Sequence, residues 1–225
     1  CKQQFIYPIN RLRNLAIKRV ETSHFLMLDM DTWPSGEQRR GSLSVVTSFD
    51  VLMKLPKTYL DNPYFVTILP VFSFSPSYLD ARRCADLNAS VAKCGFAFGM
   101  IDRSLSLMPE DKRHLVRLLK ERKMTVFRPS SKTHVDAHLL PHPQNYLPED
   151  WSSQSNANVT YMACFRELFM EPYVMVKKTS FLPPFDESFF NYGFNKVQWV
   201  ENLRYNGYEF YVAASAFAVD FLTGR

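Results

Sequence analysis

Residues 10–28 set two hydrophobic patterns of different period back to back, and that succession limits the chain to few fold classes. From Asn10 to Val20 the apolar side chains Leu12, Leu15, Ala16 and Val20 recur at helical spacing, with Asn10 placed as N-cap and the rigid Tyr7-Pro8 before it. After Glu21-Thr22-Ser23 comes Phe25-Leu26-Met27-Leu28, too short for a helix and free of polar residues. Such a run is expected of a strand covered on both faces of a parallel sheet. A helix leading into a buried strand is half of an α/β crossover unit, and sheets of that kind gather ligands at the carboxyl ends of their strands. This run ends in Asp29-Met30-Asp31.

The same alternation continues. A helix is expected within Leu43 to Leu55, and a core strand at Phe65-Val66-Thr67-Ile68-Leu69-Pro70-Val71-Phe72. Pro109 to Lys123 reads as a helix: Pro109 suits the first turn, Glu110 and Asp111 its positive end, and Lys120, Arg122 and Lys123 its negative end, around a stripe of Leu115, Leu118 and Leu119. Residues 128–158 then carry Pro129, Pro141, Pro143 and Pro148 with many Ser and Asn, the composition of a long ordered loop. Order resumes with a strand at Tyr173-Val174-Met175-Val176, a helix over Asn195 to Tyr205, and a strand region over Tyr208 to Val219. The expectation is one domain over residues 1–225 with the 128–158 loop inside it.

Composition excludes several classes. With 46% hydrophobic and 15% aromatic residues, 225 residues can bury a sizeable core, unlike a disordered chain. No segment approaches the roughly 18 uncharged apolar residues of a membrane-spanning helix. The net charge of +5 is spread among acids except for short clusters such as Arg39-Arg40, which argues against a nucleic-acid stripe and leaves room for an anionic small ligand. Cys1, Cys84, Cys94 and Cys164 lack the paired spacing of a zinc site; Cys84 and Cys94 are equally readable as a short disulfide loop or as free thiols. The sequons Asn88-Ala89-Ser90 and Asn158-Val159-Thr160 lie in stretches that read as loops and favour a secretory compartment.

Asp29-Met30-Asp31 is the sharpest chemical signal, because two carboxylates two residues apart at a strand end can share a divalent cation and a ribose. His134, His138 and His142 recur every fourth residue, but a proline-rich loop does not hold the helical geometry that would make them metal ligands. No nucleophile elbow and no glycine-rich phosphate loop is present. Phe181 to Lys196 is dense in aromatics around Asp186 and Glu187, the combination that stacks a sugar ring beside a carboxylate base, although packing at a core corner accounts for most of these rings.

Several stretches together resemble glycosyltransferase family 49, the family of the LARGE C-terminal glucuronyltransferase domain and of β-1,4-glucuronyltransferase. They are Tyr7-Pro8-Ile9-Asn10 with Leu12-Arg13-Asn14-Leu15-Ala16, the strand ending Leu28-Asp29-Met30-Asp31, and Leu69-Pro70-Val71-Phe72. The helix from Pro109 to Val126-Phe127, His142-Pro143-Gln144-Asn145-Tyr146 with Trp151, and Glu171-Pro172-Tyr173-Val174 follow in order. Phe185-Asp186-Glu187 with Phe189, Tyr192-Gly193-Phe194-Asn195-Lys196-Val197, then Phe210-Tyr211-Val212 and Ala216-Phe217, complete the series.

The resemblance implies an α/β chain with the GT-A glycosyltransferase fold, a mixed central sheet flanked by helices, whose first strands precede this sequence. It implies a metal-dependent inverting transferase that moves glucuronic acid from UDP-glucuronic acid to a glycan hydroxyl, with Mn2+ or Mg2+ as cofactor. Asp29 and Asp31 take the positions of the metal and ribose ligands, and Asp220 stands where the family carries a histidine. Ser73 stands where members have an acid. Arg13 and Asn14 match a donor-contacting pair, and Glu187 and Asp186 are the candidate bases. A Golgi lumen address and a type II membrane anchor outside this chain are likewise implied. The alternative is a non-catalytic glycan-binding or scaffold protein that retains the fold, which Asp220 favours.

Overall fold

The computed structural model describes residues 6–29, 32–38, 45–47, 51–75, 78, 107–127, 147–148, 150–154, 159–165, 169–191 and 193–220. Asp31, Cys1, Cys84, Cys94, Arg39, Arg40, the three histidines of the 128–158 segment and both sequon asparagines lie outside the described residues.

In chain order the elements are α1 (Ile9–Arg19), β1 (His24–Leu26), β2 (Thr32–Pro34), β3 (Gly36–Gln38), β4 (Val45–Thr47), α2 (Lys57–Leu60), β5 (Phe65–Ile68) and β6 (Val71–Phe74). After them come α3 (Lys112–Lys120), β7 (Met124–Val126), a 3-10 turn at Trp151–Ser153, β8 (Val159–Met162), β9 (Val174–Lys177), α4 (Asn195–Tyr205), β10 (Glu209–Ala213) and β11 (Ala218–Asp220). The result is an α/β arrangement of mixed sheets flanked by helices, compatible with the GT-A fold.

Two sheets share one pair of chain segments. The five-stranded sheet runs β1-β9-β5-β10-β8 and the four-stranded sheet β2-β11-β6-β7. At the centre of the first, β5 and β10 are parallel; beyond a break, the same two segments continue as the parallel pair β6 and β11 of the second. Pro70 lies at the break, where its missing N–H interrupts the ladder. Backbone bonds bridge the gap: Leu69 donates to Tyr173 and Ala218 to the Pro70 carbonyl, both at 2.9 Å.

Strand alternation divides the core. Val66, Ile68, Val174, Val176, Phe210 and Val212 face α3, α4, Trp151 and Phe185, while Phe65, Leu69 and Met175 face Leu52, Leu55 and Leu60. Both faces are therefore covered, which is why β5 and β9 are so rich in apolar residues, with Thr67 the polar member within β5. Trp199 of α4 stacks on Phe185 with ring centroids 4.5 Å apart and donates its indole N–H to the Pro183 carbonyl at 2.8 Å. Buried Lys112, whose ammonium burial lowers to about 8, reaches from α3 to the carbonyls of Trp151 and Gln154 and pins the 3-10 turn in place.

Five expectations need correction. Among the described residues β1 lies at the sheet edge, antiparallel to β9, and is not part of a parallel core. Its apolar run reports coverage by both core clusters, which Leu26 and Met27 join from opposite sides. Within the segment expected to be helical, Val45–Thr47 instead pairs with Gly36–Gln38 as an antiparallel ribbon. Val159 and Thr160 of the second sequon open strand β8 and are not loop residues. Helix α1 buries Ile9, Asn10 and Asn14 while Leu12 and Leu15 are 44% and 49% exposed, so its inward face is polar and its N-cap is Pro8. Helix α3 is capped by Asp111, whose carboxylate accepts from the His114 amide at 2.7 Å, so it starts later than Pro109.

Candidate active site

The inward polar face of α1 organises the candidate site. Asn14 donates its side-chain amide to the Phe185 carbonyl and accepts from the Phe185 N–H, both at 2.9 Å. The same amide donates to Glu187 Oε1 at 2.9 Å. One turn earlier, Asn10 donates to the Asp186 carbonyl at 2.7 Å and accepts from Arg13 at 3.1 Å. At the helix entrance Tyr7 and Asn191 exchange two bonds of 2.8 Å, with Asn191 in the left-handed region at φ 58°. Helix α1 is thus laced along the segment that carries both candidate bases.

The two bases differ. Glu187 is exposed, with one carboxylate oxygen oriented by Asn14. Asp186 is also exposed, but its carboxylate accepts from the Ser188 amide at 2.9 Å, and that bond holds its pKa below the ordinary value. A carboxylate that closes a local turn and is held acidic is the weaker proton acceptor.

Asp29 lies just past β1, and two donors converge on its Oδ2: the Lys196 ammonium at 2.8 Å and the Tyr173 hydroxyl at 2.9 Å. Burial pushes the Asp29 carboxyl up, but the Lys196 charge and bond, the Tyr173 bond and the Arg13 charge outweigh it and hold Asp29 ionised below the usual range. Tyr173 in turn accepts from Thr32 Oγ1 at 3.3 Å. Burial first, then the charges of Asp29 and Asp220, raise its phenol well above the ordinary value, so it stays a neutral donor. Tyr173 therefore feels the charges of both Asp29, just past β1, and Asp220, buried in β11 opposite Thr32 of β2. Lys196 lies 4.0 Å from Glu171 Oε2 and 4.9 Å from the centre of the Tyr173 ring.

Arg13 links the two groups, its guanidinium 5.1 Å from the Phe185 ring centre while its charge acts on Asp29. Of the residues expected at a site, Arg13, Asn14, Asp29, Asp186, Glu187 and Asp220 are brought into this one region. Tyr173, Lys196, Glu171 and Thr32 had no role assigned from sequence. A signal existed for Lys196: a lysine as the second residue of a helix faces the positive end of the helix dipole, and its burial there demands a negative partner.

The donor chemistry fits a hard divalent cation. Asp29 donates no proton and offers a carboxylate oxygen to one phenol, whose pKa the Asp220 carboxylate also raises, and carboxylate oxygens suit Mn2+ or Mg2+. Among the described residues no group of three His, Cys, Asp or Glu side chains is assembled, and Asp31, the third carboxylate expected there, lies outside them. Nor is any helix among the described residues long and apolar enough to cross a membrane.

Comparison with known proteins gives the same direction. The chain is 25% identical over 220 residues to a xylosyl- and glucuronyltransferase, LARGE2s, of Gallus gallus, covering 97% of this chain and 23% of that protein. It is 24% identical over 218 residues to the xylosyl- and glucuronyltransferase LARGE1 of Homo sapiens, covering 97% and 22%. To the glycosyltransferase-like protein gnt14 of Dictyostelium discoideum it is 24% identical over 213 residues, covering 95% and 26%. The chain thus spans about a quarter of the length of these relatives. Because the profile of the family described as "Glycosyl-transferase for dystroglycan" matches residues 1–220, the chain belongs to that glycosyltransferase family, family 49.

Proposed function

We propose that this chain carries the catalytic site of a metal-dependent inverting glycosyltransferase that moves glucuronic acid from UDP-glucuronic acid to a hydroxyl of a glycan. The observation that carries the reading is the convergence of an ionised Asp29, Asp220 and Tyr173 with the α1 face that holds Glu187. Asp29, Asp31 and Asp220 are the residues that would hold Mn2+ or Mg2+. When bound, such an ion neutralises the charge that develops on a departing diphosphate.

The chain's own groups supply the remainder. Arg13 brings positive charge suited to an anionic donor, while the Lys196 charge is taken up by Asp29 and Glu171. Asn14 fixes one oxygen of Glu187, leaving an exposed carboxylate to take the proton of the acceptor hydroxyl. As the acceptor oxygen bonds to the anomeric carbon, the bond from that carbon to the diphosphate oxygen breaks on the opposite face, and UDP leaves with the electron pair. Attack and departure on opposite faces invert the centre. A Golgi lumen location, with any membrane anchor outside these residues, accords with the family and with the sequons at Asn88 and Asn158.

The test is UDP release from UDP-glucuronic acid by the full chain. Turnover that requires Mn2+ and falls about a hundredfold in Asp31→Ala supports the reading; undiminished turnover in that variant removes the proposed metal role. A second reading, a glycan-binding or scaffold protein without activity, is favoured by Asp220 and by the partners that Asp29 already has, an ammonium and a phenol. Calorimetry separates the two, since glycan affinity without Mn2+-dependent binding of any UDP-sugar supports the second.

A further inference from the structure

Lys196 occupies the place of a cation and is itself one. Its side chain is only 10% exposed, and it enters from the first turn of α4, where the helix dipole opposes a positive charge. Two carboxylates hold it there, Asp29 at 2.8 Å and Glu171 at 4.0 Å, while the Tyr173 ring lies 4.9 Å from its ammonium. The chain reaches α4 through Gly193 at φ 129° and Phe194 at φ 41°, two left-handed residues in succession. A non-glycine residue in that region is strained, and such strain persists where surrounding contacts enforce it. The start of α4, and with it the root of Lys196, is therefore fixed, while the ammonium at the end of its flexible stem has two anchors within ion-pair range.

Resting on the reading of Asp29 as a cation ligand, we propose that Lys196 is a built-in counter-cation of the metal site: it neutralises Asp29 in the metal-free protein and transfers to Glu171 when a divalent ion arrives. Metal entry then exchanges one positive charge for another at Asp29. It does not have to organise a bare acidic pocket. The ion competes with a tethered ammonium, so its affinity is lower than the carboxylates alone would give, and Glu171 sets how easily the ammonium yields. An ion and the ammonium on the same carboxylate would repel at close range in a partly buried site, where such charges interact strongly.

The test is direct binding of Mn2+ to the full chain by calorimetry, with the fold of each variant checked by circular dichroism. Lys196→Met is expected to bind Mn2+ about tenfold more tightly than the natural sequence, Lys196→Arg about as tightly, and Glu171→Gln several-fold more weakly. In chelator, Lys196→Met should melt at lower temperature than the natural chain, and Mn2+ should close that gap. Equal or weaker Mn2+ binding by a folded Lys196→Met overturns the proposal while leaving Asp29 as a ligand. Absence of Mn2+ binding in both proteins overturns the metal reading and this proposal together. Should Lys196→Met not fold, Glu171→Gln decides alone, and an unchanged affinity there overturns the exchange.

Discussion

Asn14 and Phe185, 171 positions apart in sequence, close a two-bond ring in which a side-chain amide pairs with a main-chain N–H and C=O as a neighbouring strand would. The pairing satisfies both backbone groups of a residue buried beside Trp199 and fixes the segment that carries Asp186 and Glu187. Removal of the amide leaves buried polar groups without partners, which costs more than the bonds themselves contribute.

Asn14→Ala is therefore expected to lower stability by about 2 kcal/mol, read as a fall in urea midpoint with unchanged slope. Asn14→Asp keeps the acceptor for the Phe185 N–H but sets a carboxylate against the Phe185 carbonyl and Glu187. It should be at least as destabilising as the alanine variant. An aspartate variant as stable as the natural chain would show that the amide donor contributes nothing.

The unequal surroundings of the neighbouring acids predict unequal roles. Glu187→Gln removes the proton acceptor while retaining an oxygen for the Asn14 bond, so turnover should drop by about a hundredfold or more with little change in substrate affinity. Asp186→Asn keeps an acceptor for the Ser188 amide and should cost far less. The measurement is the split between kcat and KM for UDP release, and a larger kcat loss in Asp186→Asn would reverse the assignment.

Much of this organisation is legible in the amino-acid order, for reasons the structure explains. Helix α4 falls over Asn195–Tyr205 as expected, and β5 and β9 lie where β-branched runs place them, because both faces of those strands are covered. The orientation of α1 is not legible. Periodicity assigns apolar residues to the core, yet here Asn10 and Asn14 point inward to backbone groups of a segment that the sequence does not place nearby. Tyr173 and Lys196 escape for the same reason: each acts through a carboxylate more than 140 positions away, at sequence separations of 144 and 167. Asp29, by contrast, announces itself through the apolar run before it, although that run's strand, β1, lies at the sheet edge among the described residues and closes at Leu26.

His24 gives a prediction near neutral pH. Its ring is buried, with Nε2 3.1 Å from the Leu60 carbonyl and Nδ1 2.9 Å from Ser23 Oγ. The carbonyl can only accept, so Nε2 carries the proton, and in the neutral ring Nδ1 then accepts from the Ser23 hydroxyl. Burial first, with the Lys177 charge adding, lowers its pKa below 6.5 against the opposing Leu60 bond and Asp61 charge. As pH falls through 6.5 the unfolded chain takes up a proton that the folded chain refuses, so stability decreases until the folded value is passed. Urea midpoints should drop between about pH 7 and pH 5, and His24→Gln, which retains an N–H for Leu60, should reduce that slope. Identical slopes in the two proteins would place the acid sensitivity elsewhere.

Asp29 governs a lower window, and Tyr173 tests it. The Asp29 carboxyl titrates below its ordinary 3.8 in the folded chain, so its contribution to stability is present above that value and is lost as pH falls through the folded value. Tyr173→Phe keeps the ring near Lys196 but removes the hydroxyl that donates to Asp29. The Asp29 side chain is 38% exposed, which holds the expected loss to the lower end, about 1 kcal/mol at pH 7. The difference between the two proteins should narrow as Asp29 is protonated, because the bond removed is one made to an ionised carboxylate. Urea midpoints at pH 7, 5 and about 3 measure that closure. A gap of constant size across the range would mean that the hydroxyl acts through Thr32 and not through the charge on Asp29.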